Sequence, residues 1–443
     1  MNLRQALRLG RENRVALVGA GGKTTALFQL ARSFDPPIVV TASTHLGEWQ
    51  AALADVYIPV TRPEDVEKST GQIEGVTLLT GPLSGDGVRL EGLDRESLQK
   101  INDLADQLGF PVFVEADGSR RKPLKAPGPH EPAIPDWVDG VVVVVGLSGL
   151  GKPLGEEWVH RPERFAELSG GIIGEPVTVD HLARLLAHPQ GGLKNIPTGT
   201  RKTLLLNQVE GEERLDAAMR IAKNVNRDNS TWDQIIITSL EQHAIHAVIE
   251  PVGGVILAAG QSSRFGQPKM LMPWRGKPIL RHVAEAALEG GVNPLVVVSG
   301  AEEEGMQQAC EGLPVVLVVN KEWETGQSSS MRKGLQALPD NTGAALFLLA
   351  DQPFVSPALI KQIIERHQKT LSPVIAPRVG EQRSNPVLFD RVTFPDLLTV
   401  QGDRGGRALF DRYEISYVDW DDANLLLDID TPEDYRRLQD LEN

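Results

Sequence analysis

The stretch Val255-Ile256-Leu257-Ala258-Ala259-Gly260-Gln261-Ser262-Ser263-Arg264-Phe265-Gly266-Gln267-Pro268-Lys269 decides how the C-terminal half of this chain is read. Residues 255–257 are aliphatic and predict a buried strand. The strand breaks into small residues, which let backbone come close to a ligand, and consecutive turn amides there can face phosphate oxygens. Arg264 and Lys269 add two positive charges beside the turn. These features together suit a nucleoside triphosphate, whose α-phosphate must be neutralised before another anion attacks it. From composition alone the stretch also fits an ordinary strand-to-loop connection carrying two surface cations.

A second opening of this kind stands near the N-terminus. Residues 15–18 predict a strand that runs into Gly19-Ala20-Gly21-Gly22-Lys23-Thr24-Thr25, and Ala26, Leu27, Leu30 and Ala31 continue at helical spacing. Loop amides followed by a helix N-terminus form an anion cradle, with Lys23 expected on the outer phosphates and Thr24 on a Mg²⁺ ion. The usual phosphate loop has glycine six residues before its lysine, where this chain has Leu17, so the loop is a variant. Thr24 also departs from the dinucleotide pattern GxGxxG. Asp117 follows a predicted strand at 112–114 and can hold Mg²⁺ through water. The basic run from Arg120 to Lys125 either contacts phosphates or is a solvated loop. His45 and His130 are cleft candidates, and each also reads as a structural hydrogen-bonding residue. Asn207-Gln208-Val209-Glu210 is similar to the guanine-reading NKxD pattern with two positions changed, so no base preference is read from it.

Between these two openings the pattern repeats in kind but not in sequence. Short strands are predicted at 38–40, 141–145, 203–206 and 235–237, and again at 295–298, 315–319, 344–349 and 374–376. Helical stripes lie between them, one through Ile279, Leu280, Val283, Ala284, Ala287 and Leu288, another through Leu359, Ile360, Ile363 and Ile364. Buried strands alternating with amphipathic helices predict an α/β protein of two doubly wound, Rossmann-like domains. Pro251 and the Gly253-Gly254 pair punctuate the seam, giving domains at 1–246 and 253–443. Open sheets of this kind bind ligands at the carboxyl ends of their strands, so each glycine turn marks a candidate site.

Composition agrees with two soluble domains: 443 residues, 41% hydrophobic and 23% charged. A net charge of -14 argues against general nucleic-acid binding and against an anionic membrane as partner, while leaving room for one basic pocket. Cys310 is the only cysteine, so neither an intrachain disulfide nor a cysteine-based metal site can form within one chain. The N-terminus lacks a signal-like apolar core, and residues 141–145 are too short to span a bilayer, so a cytoplasmic protein is expected.

The pattern Leu257-Ala258-Ala259-Gly260-x-Ser262-x-Arg264-x-Gly266-x-x-Lys269, followed by Leu271, Pro273 and Gly276, resembles the signature of MobA-like nucleotidyltransferases, with Phe265 and Met270 as apolar departures from it. Its LAAG form is similar to that of the molybdenum cofactor cytidylyltransferases. Asn320, Trp323, Gly326, Ser328, Ser329, Ser330 and Gly334 resemble the segment that flanks the nucleotide in that family. Asp351 in Ala350-Asp351-Gln352-Pro353 resembles its metal-binding aspartate, which a hard cation such as Mg²⁺ favours. Asn385-Pro386, after Arg383, and Gly402-Asp403-Arg404-Gly405-Gly406-Arg407 resemble its acceptor-side loops. Asp430, with Asp428 close behind, resembles the carboxylate that completes the metal site; the alternative is that Asp430 caps the last helix.

The resemblance implies a nucleotide-diphospho-sugar-transferase-like fold and transfer of CMP from CTP to molybdopterin with release of pyrophosphate. Arg264, Lys269 and Asp351 would be the catalytic residues; Leu257, Ala258, Ala259, Gly260, Ser262, Asn320 and Ser329 would bind the nucleotide. Asp351 and Asp430 would hold Mg²⁺, and Asn385, Pro386, Asp403 and Arg404 would bind the acceptor. The N-terminal half, through GAGGKTT, the 115–127 segment, His130-Glu131-Pro132 and Gly151-Lys152-Pro153-Leu154, resembles the YqeC family, whose members are described as accessory factors for selenium-dependent molybdenum hydroxylases. That implies a P-loop-like site for ATP or GTP at Gly19, Ala20, Gly21, Gly22, Lys23, Thr24, Thr25 and Asp117, and a molybdenum hydroxylase apoenzyme as partner. GMP transfer, transfer to another phosphorylated acceptor, and a non-catalytic cofactor carrier or chaperone are the competing readings.

Overall fold

The computed structural model describes residues 1–85, 87–226, 231–259, 265, 268–300 and 302–440. The chain divides into two compact units, Met1–Ile249 and Glu250–Asn443.

The first unit is built on nine strands: β1 (Arg14–Gly19), β2 (Ile38–Ala42), β3 (Val56–Pro59), β4 (Val76–Thr80), β5 (Val112–Glu115), β6 (Gly140–Gly146), β7 (Arg201–Asn207), β8 (Gln234–Ser239) and β9 (Ala244–Ile249). Their order across the sheet is β9-β8-β7-β6-β1-β5-β2-β4-β3. Every neighbouring pair is parallel except β8 with β9. The chain builds outward from β1 in one direction through β5, β2, β4 and β3, and in the other through β6 to β9. Reversal beside β1 leaves a crevice at its carboxyl end, where the glycine loop lies, before helix α1 (Lys23–Ala31). Strand β6 shows the buried run expected of a parallel sheet covered on both faces, with Val141, Val142, Val143, Val144 and Val145 all buried. Strands β3, β4 and β9 have no counterpart in the strands predicted from the sequence; β3 is only four residues long and half-exposed along most of its length.

Among the described residues the main sheet of the second unit has eight strands: β10 (Val252–Ala258), β11 (Leu295–Ser299), β12 (Val315–Val319), β13 (Ala344–Leu349), β14 (Val374–Val379), β15 (Gln382–Arg383), β16 (Val387–Asp390) and β17 (Ile415–Asp419). The order is β12-β11-β10-β13-β16-β14-β15, with β17 beside β14. Strands β12, β11, β10 and β13 are parallel to one another; β16 runs antiparallel to both β13 and β14. The sheet is therefore mixed, not wholly parallel as the alternation alone suggests. Alternate residues of its strands feed two cores. Ile256, Val297, Leu346 and Leu348 join Leu280 and Val283 of α2 (Ile279–Glu289) and Ile360 and Ile363 of α3 (Pro357–Thr370). Val255, Val296, Val298 and Phe347 face Met331 and Leu335 of α4 (Gln327–Gln336). The register pairs Leu257 with Leu349 and Ala258 with Ser299, so the chain leaves β10, β11 and β13 along one edge.

Candidate functional sites at the strand ends of each unit

In the second unit, Lys269 opens a short turn of 3₁₀ helix after the glycine-rich stretch. Its Nζ lies 2.6 Å from an Asp351 oxygen and 2.8 Å from an Asp430 oxygen. Asp351 sits two residues beyond β13, and its backbone oxygen accepts from Ile429 N at 3.4 Å. Asp430 reaches the same point because the C-terminal helix α5 (Pro432–Asp440) is anchored nearby. Ile429, Tyr435 and Leu438 pack with Trp274 and Ile279, and Tyr435 Oη donates to Pro273 O at 2.6 Å. The capping work at this helix falls to Thr431 and Asp434, whose hydroxyl and carboxylate bond each other's backbone amides. That leaves the Asp430 side chain on Lys269.

Burial works against the Lys269 ammonium, yet the charge of Asp351 and the bonds to both carboxylates outweigh it and raise its pKa. Asp428 is pushed up by burial, opposed by a hydrogen bond from Gln352 and reinforced by the charges of Asp351 and Asp430. Gln352 is itself buried, and its Oε1 has no hydrogen-bond partner among the described residues. Two carboxylates converging on one cation supply oxygen donors of the kind that fit a hard divalent ion. Among the described residues no cluster of three or more His, Cys, Asp or Glu could hold a metal alone, so such an ion would take further oxygens from phosphate and water.

The other expected positions fall into three groups. Leu257 and Ala258 end β10 and Ala259 follows it, with Leu257 O accepting from Ala350 N at 3.3 Å. Gly260, Ser262 and Arg264 lie outside the described residues. Asn320 and Ser329 are buried and committed to each other: Asn320 Nδ2 donates to Ser329 Oγ at 2.8 Å and to Ser330 Oγ at 3.0 Å. Their bonds tie the end of β12 to the start of α4. Asn385 is half-buried and Pro386 buried, whereas Asp403 and Arg404 are exposed. Asp403 lies against Gly326, at the head of α4, where a Cβ on the glycine would meet its Oδ1 at 2.6 Å. Gly334 packs α4 onto β10 so closely that a Cβ would sit 2.2 Å from Val255 Cγ1.

In the first unit the loop after β1 needs glycine for two reasons. Gly19 and Gly21 have φ of +97° and +78°, and a Cβ would meet Val144 O at 2.2 Å and Gly146 Cα at 2.3 Å. Lys23 is buried; its Nζ donates to Gly19 O at 2.8 Å and lies 3.2 Å from Asp117 and 3.9 Å from Glu115. Burial lowers the pKa of Lys23, but Asp117 and Glu115 outweigh it and the net shift is upward. Glu115 is pushed up by burial, with Lys23 pulling the other way. Asp117 also accepts Gly19 N–H at 3.0 Å and Lys125 Nζ at 2.7 Å. Thr24 Oγ1 accepts from Gln50 Nε2 at 2.9 Å and donates toward Glu115 at 3.4 Å.

The basic run is not uniformly a solvated loop. Arg120 and Arg121 are exposed, but Lys125 is buried between Asp117 and Glu131, the latter 2.7 Å away and paired in turn with Arg161 by two 2.8 Å bonds. Asn207 braces the glycine loop, with Nδ2 donating to Gly21 O at 2.8 Å and Oδ1 accepting from Leu240 N at 3.0 Å. Sequence reading singled out neither Gln50 nor Arg161, and no local pattern marks them, because their partners are 65 and 30 residues away. His45 and His130 are both exposed. Among the described residues no helix is long and apolar enough to cross a membrane.

Comparison with known proteins assigns each unit separately. Residues 254–416 match the model of the MobA-like NTP transferase domain, and residues 15–163 match that of the YqeC protein. Nicotine blue oxidoreductase of Paenarthrobacter nicotinovorans is 32% identical over 197 residues, covering 42% of this chain and 96% of that protein. The YqeC protein of Escherichia coli (strain K12) is 28% identical over 253 residues, covering 54% of this chain and 88% of that protein. Among solved structures, a nucleotidyl transferase from Methanothermobacter thermautotroptrophicus is 25% identical with a TM-score of 0.39, covering 44% of this chain and 98% of that one.

Proposed function

We propose, from the premise that the chain belongs to the MobA-like NTP transferase family through residues 254–416 and carries a YqeC domain over residues 15–163, that it is a magnesium-dependent cytidylyltransferase acting on molybdopterin. The observation that carries this reading is the convergence of Lys269, Asp351 and Asp430, far apart in sequence, within 2.8 Å of one ammonium. In the reaction a terminal phosphate oxygen of molybdopterin attacks the α-phosphorus of CTP. The bond from the α-phosphorus to the bridging oxygen breaks, and pyrophosphate leaves with that electron pair.

Arg264 and Lys269 neutralise the charge that gathers on the α-phosphate during transfer. Backbone at Leu257, Ala258, Ala259 and Gly260, with Ser262, positions the triphosphate. Asp351 and Asp430 hold Mg²⁺, which supplies charge neutralisation at the phosphates. Asn320 and Ser329 act by holding the nucleotide-side loop in shape. Asn385, Pro386, Asp403 and Arg404 receive the acceptor. The first unit binds ATP or GTP at Gly19, Ala20, Gly21, Gly22, Lys23, Thr24 and Thr25, with Asp117 on the metal side, and serves delivery of the finished cofactor to a molybdenum hydroxylase apoenzyme.

The test supplies purified protein with Mg²⁺, molybdenum-loaded molybdopterin and labelled CTP or GTP. CMP on the pterin with matching pyrophosphate is the expected product. GMP on the pterin would move the specificity to guanine. No pyrophosphate with either nucleotide would remove the transferase reading of this chain and leave the redox chemistry named for the P. nicotinovorans relative as the one to assay.

A further inference from the structure

The first unit contains a cavity of about 510 Å³ lined mostly by residues to which the phosphate-loop reading gives no role. Thr24, Thr25, Phe28 and Gln29 of α1 form one wall, and Trp49 and Leu240 stand among the others. Three observations connect it with the glycine loop. Thr24 and Thr25 are the second and third residues of the helix whose N-terminus closes that loop. A Cβ on Gly22 would stand 3.8 Å from Leu240 Cδ1, and Asn207 bonds both Gly21 O and Leu240 N, so loop and cavity wall are one side chain apart. Leu240 is held in place on both sides, its amide donating to Asn207 Oδ1 and its carbonyl accepting Gln29 Nε2 at 2.8 Å. The anion cradle and the cavity are thus two ends of one site.

The chemistry of the two ends differs. At the loop, helix amides and Lys23 suit phosphate. In the cavity, Phe28 is buried, whereas Trp49 presents 46% of its surface and has the Arg121 guanidinium 5.5 Å from its ring centroid. An exposed indole backed by a cation is an incomplete stack, able to take a flat aromatic ring on its open face. A volume near 500 Å³ is within the range of sites that enclose a small organic ligand. We propose that this cavity is the nucleoside end of the N-terminal site, with the base of a purine nucleoside triphosphate stacked on Trp49 and its phosphates in the glycine loop. The inference rests on the reading of that loop as a phosphate site.

Titration calorimetry of the full chain with the magnesium complexes of ATP, GTP and tripolyphosphate tests it, with Lys23→Ala assigning binding to this unit. The Lys23-dependent affinity of at least one nucleotide should exceed that of tripolyphosphate by tenfold or more, as stacking of one base allows. Trp49→Ala should reduce that advantage to under threefold and leave tripolyphosphate binding unchanged, while Trp49→Phe keeps most of it. Lys23-dependent tripolyphosphate binding without any nucleotide advantage, or an advantage that survives Trp49→Ala, would overturn the nucleoside assignment and leave the phosphate site standing. If no Lys23-dependent binding of any of the three is found, the phosphate-loop reading itself fails and takes this inference with it.

Discussion

Replacing Lys269 by methionine should move metal binding and turnover in opposite directions. In the second unit the Lys269 ammonium lies 2.6 Å from Asp351 and 2.8 Å from Asp430, which is the space a divalent ion shared by those carboxylates would take. A unit charge and a divalent ion about 4 Å apart repel by roughly 2 kcal/mol even at the dielectric of bulk water, and by more in a partly buried site. That is about a 30-fold effect on affinity. Lys269→Met keeps most of the stem's volume and removes the charge, so Mn²⁺ binding measured by electron paramagnetic resonance without nucleotide should tighten by about 30-fold or more. Pyrophosphate release in the presence of CTP and molybdopterin should fall by about two orders of magnitude, because in the proposed reaction the same cation stabilises the reacting phosphate. Adding Asp351→Asn to Lys269→Met should abolish the gain in metal binding, which separates this site from any metal bound in the first unit. Unchanged or weaker Mn²⁺ binding in Lys269→Met would refute the shared metal site.

Asp351→Asn alone should retain the fold and lose turnover by about two orders of magnitude or more, with near-normal activity removing Asp351 from the reaction. Gly334→Ala should lower stability by about 1–3 kcal/mol in denaturant titrations, since the added methyl meets Val255 Cγ1 at 2.2 Å where α4 packs on β10. Asn320→Ala, which removes the donor to the buried Ser329 and Ser330 hydroxyls and the acceptor of Glu322 N, should cost about 1–3 kcal/mol and loosen the loop before α4; an unchanged unfolding midpoint would show the network to be idle. Stability of the first unit should fall with acid in two steps. His160 is depressed to about 4 by burial and by the charges of Arg161 and Lys125, so the folded state resists a proton that the unfolded chain takes up near 6.5, and stability declines between those values. Glu131 is held at about 2, the bonds from Arg161 and Lys125 outweighing burial, so its contribution is present above 4.5 and is lost as pH falls toward 2. Urea midpoints measured against pH should show both limbs, and His160→Gln should erase the upper one.

The α/β class and the glycine turn after β1 were legible in the sequence, because buried parallel strands and helix stripes are local, periodic signals. Predicted strands at 315–319 and 344–349 match β12 and β13 end to end. β3 is only four residues long and half-exposed, and β16 turns the second sheet mixed through antiparallel pairings with β13 and β14 that no local pattern encodes. In the site, Lys269, Asp351 and Asp430 each stand beside a turn or helix start that the chain spells out. Only the third dimension brings them to one point, through packing of Ile429, Tyr435 and Leu438 against Trp274 and Ile279.

The same division runs through the first unit. The sequence by itself determined that a glycine loop followed by Lys-Thr joins the end of β1 to the start of α1, since turn conformation and helix polarity are set largely by neighbouring residues. Tertiary structure decided the electrostatics around that loop. Lys125 reads along the chain as one more cation in a basic run, yet it is buried between Asp117 and Glu131, and Gln50 reaches Glu115 from 65 residues away. Charge and hydrogen bonding act through space and strengthen with burial, so their outcome is settled by which segments the sheet sets side by side.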